Sequence, residues 1–140
     1  MGFRIYSDFR LLFIRGHGVI TQTERVQTML AWLDDPCYED CTDALFDIAD
    51  AQSTPRLREM REIIAILRQH QPARGPRKLA IVTAKPIAFA VARVFGQLIQ
   101  TKGVPLDVRV FLDRERAWTW LRPGDPSPKP RNESELATRD

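Results

Sequence analysis

The run Leu79-Ala80-Ile81-Val82-Thr83 constrains this chain more than any other stretch. A strand with one wet face alternates polar and apolar residues. A run that is apolar at successive positions must be covered on both faces, as in the centre of a parallel sheet. Beyond Pro86, the residues Ile87, Val91, Val94, Phe95, Leu98 and Ile99 fall at helical spacing. Val108-Arg109-Val110-Phe111 then supplies another strand after the break at Gly103-Val104-Pro105. A strand, a helix and a second strand in this order form a right-handed crossover between parallel neighbours, which implies a layered α/β domain.

The rest of the chain extends that unit on both sides. Phe3 to Ser7 and Leu11 to His17 are short apolar and aromatic runs parted by Asp8-Phe9-Arg10, the pattern of an antiparallel hairpin. Thr21 and Glu24 have the spacing of a capping box, so a helix is expected there with Val26, Met29, Leu30 and Leu33 inward, ending at Asp34-Asp35-Pro36. Ala44 to Ala49 reads as a third strand. Thr54 is expected to cap a second helix with Pro55 in its first turn and Leu57, Met60, Ile63, Ile64 and Leu67 buried. Asp113 is expected to cap a last short helix carrying Ala117, Trp118, Trp120 and Leu121. The order is β-β-α-β-α-β-α-β-α, a mixed sheet that is mostly parallel beyond its first strand. Prolines at 123, 126, 128 and 130 sit among polar residues with no periodicity, so residues 1–122 are read as the domain and 123–140 as a disordered tail.

Composition narrows the class. With 140 residues, 44% hydrophobic and 28% charged, the chain suits one globular domain. No apolar stretch reaches the roughly 20 residues of a membrane span. The N-terminus lacks the apolar core of a signal peptide, and a cytoplasmic location is expected. Cys37 and Cys41 lie close together without two further ligands at zinc-site spacing, so they are read as free thiols and neither metal nor cofactor is expected. A net charge of +3 is only mildly basic. The densest basic cluster, Arg68, Arg74, Arg77 and Lys78 with His70, has no aromatic residues interleaved for base stacking, and nucleic acid is not the expected partner.

Several segments together resemble a known family. These are Gly16-His17-Gly18-Val19-Ile20-Thr21 leading into the first helix, Leu45-Phe46-Asp47-Ile48, Lys78-Leu79-Ala80-Ile81-Val82, Ala92-Arg93-Val94-Phe95, Val108-Arg109-Val110-Phe111, and the closing Glu115-Arg116-Ala117-Trp118-Thr119-Trp120-Leu121. Their order and spacing, from Phe3 to Leu121, look like the STAS fold, and more specifically the SpoIIAA-like group of short bacterial proteins. The resemblance implies a small non-catalytic domain that binds a protein partner or a small, lipid-like ligand. In phosphorylatable STAS proteins a serine at the turn after the third strand is a regulatory switch. The matching turn here, Asp50-Ala51-Gln52-Ser53-Thr54-Pro55, keeps hydroxyls but lacks the family's serine–glycine run.

Candidate sites follow from these placements. Asp50, Ser53 and Thr54 gather at a strand's C-terminal end before a helix, where an anion or phosphate is favoured, and are the expected regulatory or binding residues; capping alone is the commoner use of such hydroxyls. Trp118 and Trp120 fall on different faces of the last helix, so Trp118 is a candidate for a partner or homodimer surface. Asp47, Thr83 and Lys85 form the alternative, a phosphoryl-transfer or hydrolytic pocket beyond the strand ends. No Gly-x-Ser-x-Gly elbow, activated Cys–His pair or phosphate-binding glycine loop is present, so a binding module is favoured over an enzyme. The two readings separate on one observation: an apolar groove under the helices favours binding, and a convergent acidic pocket favours catalysis.

Overall fold

A computed structural model of the chain describes residues 2–8, 11–34, 43–69 and 78–124. The strands are β1 (Gly2–Asp8), β2 (Leu11–Gly18), β3 (Asp43–Ala51), β4 (Lys78–Val82) and β5 (Asp107–Phe111). The helices are α1 (Gln22–Asp34), α2 (Leu57–Gln69), α3 (Pro86–Thr101) and α4 (Arg114–Leu121). The element order is the expected one. β1 and β2 pair antiparallel, with Ile5 opposite Ile14, and β2 to β5 are parallel. The strands lie side by side in chain order, β1-β2-β3-β4-β5.

That order decides where the helices go. Three successive right-handed crossovers stepping in one direction across a sheet put α1, α2 and α3 on the same face. Strand alternation then sorts the core into two layers. Leu12, Ile14, Ala44, Leu79 and Ile81 pack with Trp32, Ile63, Ile64, Leu67, Ala92 and Ile99 from the three helices. Leu11, Phe13, Leu45, Ala80 and Val82 point the other way, onto Ala117, Trp118 and Leu121 of α4. The apolar run 79–82 is therefore covered on both faces as its composition requires.

Local chemistry sets the helix ends. Thr21 and Glu24 form the reciprocal box: the Glu24 amide donates to Thr21 Oγ1 and the Thr21 amide to Glu24 Oε1, each at 3.1 Å. Asp113 caps α4 by accepting from the Glu115 amide at 2.8 Å. Pro86 opens α3 where its missing N–H costs nothing. Gly96, within α3, lies over β5, and a Cβ there would sit 3.4 Å from Val108. Ala88, Ala92 and Gly96 thus face inward, toward the sheet.

Three expectations need correction. Thr54 does not cap α2, which begins at Leu57; the first turn is closed by the Arg56 amide donating to Glu59 Oε1 at 2.8 Å, because Ser53 and Thr54 are still spanning from the sheet. Leu57 precedes the buried stripe and is 46% exposed, while Met60, Ile63, Ile64 and Leu67 are buried. On α1 Met29 and Leu33 pack against the core as expected, but Leu30 is 39% exposed and Trp32 is buried in its place. The hairpin residues 9–10, Cys37, Cys41, His70, Arg74, Arg77 and residues 125–140 lie outside the described residues.

The far end of the domain is fastened by one ion pair. Arg122, just past α4, bonds the carboxylate of Asp43 at the start of β3, with the two side chains only 17% and 10% exposed. Arg122→Met removes the guanidinium from a buried carboxylate and is expected to cost about 3 kcal/mol in urea unfolding, whereas the double variant with Asp43→Leu recovers part of that loss.

Candidate ligand cavity

The three helices on one face do not close over the sheet completely. An apolar cavity of about 120 Å³ remains between α1, α3 and the strands. Its floor is Ile14 of β2, Phe46 and Ile48 of β3, and Leu79 and Ile81 of β4. Its walls are Met29 and Trp32 of α1, Ile63 of α2, and Ala88, Val91, Ala92 and Phe95 of α3. The small residues of α3 create the space, since alanine at 88 and 92 leaves room that a larger side chain would fill. The polar lining is confined to Arg25 and Thr28 of α1 and to Ser53 and Thr54 of the connection into α2.

That connection is shaped by two interactions. Gly18 leaves β2 at φ +70°, a conformation costly for other residues, and its carbonyl accepts from the Gln52 amide at 2.8 Å. Ser53 then ties the ends of β2 and β3 together: its hydroxyl accepts from the Ile20 amide at 2.8 Å and donates to the Ile20 carbonyl at 3.0 Å. One side chain completes both backbone groups of a residue that has left the sheet.

Arg25 stands in the first turn of α1 with its side chain 10% exposed. Its guanidinium donates to Gln22 Oε1 at 3.3 Å and to Ser53 Oγ at 3.4 Å, and Glu59 Oε2 lies 3.9 Å away. Burial pulls the Arg25 pKa below its ordinary value, against the opposing pull of Glu59 and Glu24. The group stays charged, as a guanidinium does at any physiological pH.

The expected site residues separate. Ser53 and Thr54 both line the cavity. Asp50 does not; its carboxylate pairs with Arg15 at 3.0 Å on the exposed rim of β2 and β3. Trp118 is 4% exposed and belongs to the core beneath α4, which corrects its reading as a surface anchor. The half-buried indole is Trp120, which stacks beside Phe111 at 5.8 Å between Lys78 and Arg109, 5.3 and 5.1 Å from its ring. The alternative pocket does not converge. Asp47 approaches Arg114 of α4 at 3.7 Å, Thr83 is fully buried behind β4, and Lys85 is exposed at the start of α3. Among the described residues no group of three metal-ligating side chains occurs. Arg25, Thr28 and Trp32 were missed, although the spacing 25, 28, 29, 32 marks one helical face.

A five-stranded mixed sheet with three crossover helices over one face and a short helix under the other defines the α/β class of this domain, a SpoIIAA-like fold. The chain belongs to the SpoIIAA-like family, whose model matches residues 11–122. Among solved structures it is similar to an uncharacterised protein of the DUF3478 family from Shewanella loihica PV-4, described as having a SpoIIAA-like fold. The identity is 18%, the TM-score is 0.55, and the match covers 86% of this chain and 92% of that one. Comparison with curated proteins finds no match. No helix among the described residues is long and apolar enough to cross a membrane.

Ser53→Ala deletes both bonds to Ile20 and is expected to lower unfolding stability by about 1–2 kcal/mol in urea titration, with little change in circular dichroism.

Proposed function

We propose that this domain is a non-enzymatic binding module that holds a small apolar ligand in the cavity between α1, α3 and the sheet. The observation that carries the reading is the cavity itself. Well-packed interiors leave few voids larger than a water molecule, and filling this one with a larger residue at Ala88 or Ala92 would be a simple remedy. A cavity kept open and lined by Ile, Leu, Phe, Val and Met side chains excludes water and rewards an apolar occupant. The dispersal of Asp47, Thr83 and Lys85 argues against the hydrolytic alternative, since general acid–base or phosphoryl chemistry needs those groups within reach of one substrate atom.

Native mass spectrometry of the purified protein tests for a retained ligand. A titration with 1-octanol, followed through tryptophan indole resonances, is expected to shift Trp32 and leave Trp118 and Trp120 in place. Ala88→Phe is expected to weaken binding at least tenfold while keeping the thermal midpoint within a few degrees. No shift of Trp32 at saturating octanol would reject the reading.

A further inference from the structure

Arg25 is placed against the ordinary rules for its element. A cation in the first turn of a helix opposes the helix dipole, and α1 already carries Glu24 where an acid is favoured. Its long side chain is nine-tenths buried beside an apolar cavity, where an incompletely solvated charge is expensive. The hydrogen bonds it makes to described residues run to neutral oxygens at 3.3 and 3.4 Å, the long end of the range. Glu59 is at 3.9 Å, beyond hydrogen-bond reach, and one of its carboxylate oxygens is committed to the Arg56 amide. A guanidinium offers five N–H donors, so capacity remains.

Building on the cavity reading above, we infer that the ligand is a small apolar monocarboxylate whose body fills the space under α3 and whose carboxylate is received by Arg25 with help from Thr54. A planar guanidinium fork matches a carboxylate in two parallel bonds, and charge-assisted bonds of this kind are the strong ones. The depressed Arg25 pKa shows that desolvation outweighs the attraction of Glu59 and Glu24, so the cation still gains from another negative group. Those same two acids disfavour a dianion, which selects a carboxylate over a phosphate monoester. The volume sets the body. A cavity of about 120 Å³ is slightly smaller than an engineered apolar cavity of about 150 Å³ that takes benzene, so it encloses about five or six carbons, and a longer chain extends into its open mouth.

The test compares octanoate with octanamide, which has the same chain and a neutral head, by isothermal titration of the intact protein. Octanoate is expected to bind about tenfold tighter or more, the ratio a charged hydrogen-bonded pair supplies. Arg25→Met is expected to erase that preference and to leave octanamide binding within about threefold. Equal affinities in the native chain overturn the inference by themselves, without any variant. A preference that survives Arg25→Met overturns it too. If octanamide and 1-octanol bind but octanoate does not, the cavity reading stands and the carboxylate assignment falls. If none of the three binds, both fall.

Discussion

The handedness of three successive crossovers is the constraint on which this structure rests. Because β2, β3, β4 and β5 are adjacent in chain order, each link steps the same way and must pass over the same face. Three helices are therefore crowded above the sheet, and among the described residues the opposite face is covered by the eight residues of α4. The crowded face cannot be sealed by side chains of uniform size. Where α3 carries Ala88 and Ala92 instead of larger residues, a cavity remains, lined on one side by Arg25, Thr28, Ser53 and Thr54.

Fold and site were unequally legible. The run 79–82, the Thr21–Glu24 box and the Asp113 cap depend on local propensity and burial, which a single sequence carries directly, and each element formed where its pattern lay. α1 was misread for an instructive reason. Met29 and Leu33 pack inward as its apolar pattern suggested and Leu30 does not, while the side toward the cavity is Arg25, Thr28, Met29 and Trp32, two of them polar. Polar residues on an inward face break the binary pattern that reveals structure, so the helix that walls the cavity is the one whose pattern misleads.

The turn after β3 shows the same tension at a single residue. As a sequence, Asp50 to Pro55 offered two hydroxyls and an acid as equivalent candidates. In space Asp50 turns to the rim to meet Arg15, Thr54 lines the cavity without capping α2, and Ser53 completes the backbone of Ile20. The serine is thus a structural rung between two strand ends as well as part of the polar lining. Its two hydrogen bonds to Ile20 span 33 positions in the chain, a distance no local pattern encodes.

Glu59 links the cavity to the stability of a helix. Its carboxylate receives the Arg56 amide at the start of α2, its carbonyl accepts Gln22 Nε2 at 3.0 Å, and its free oxygen faces Arg25. The first turns of α1 and α2 therefore share one residue, and contacts shared in this way are expected to open together in local fluctuations. An occupant of the space beside Arg25 would bear on that unit, so its expected trace is slowed amide exchange at the beginning of α2, away from the strands that form the cavity floor.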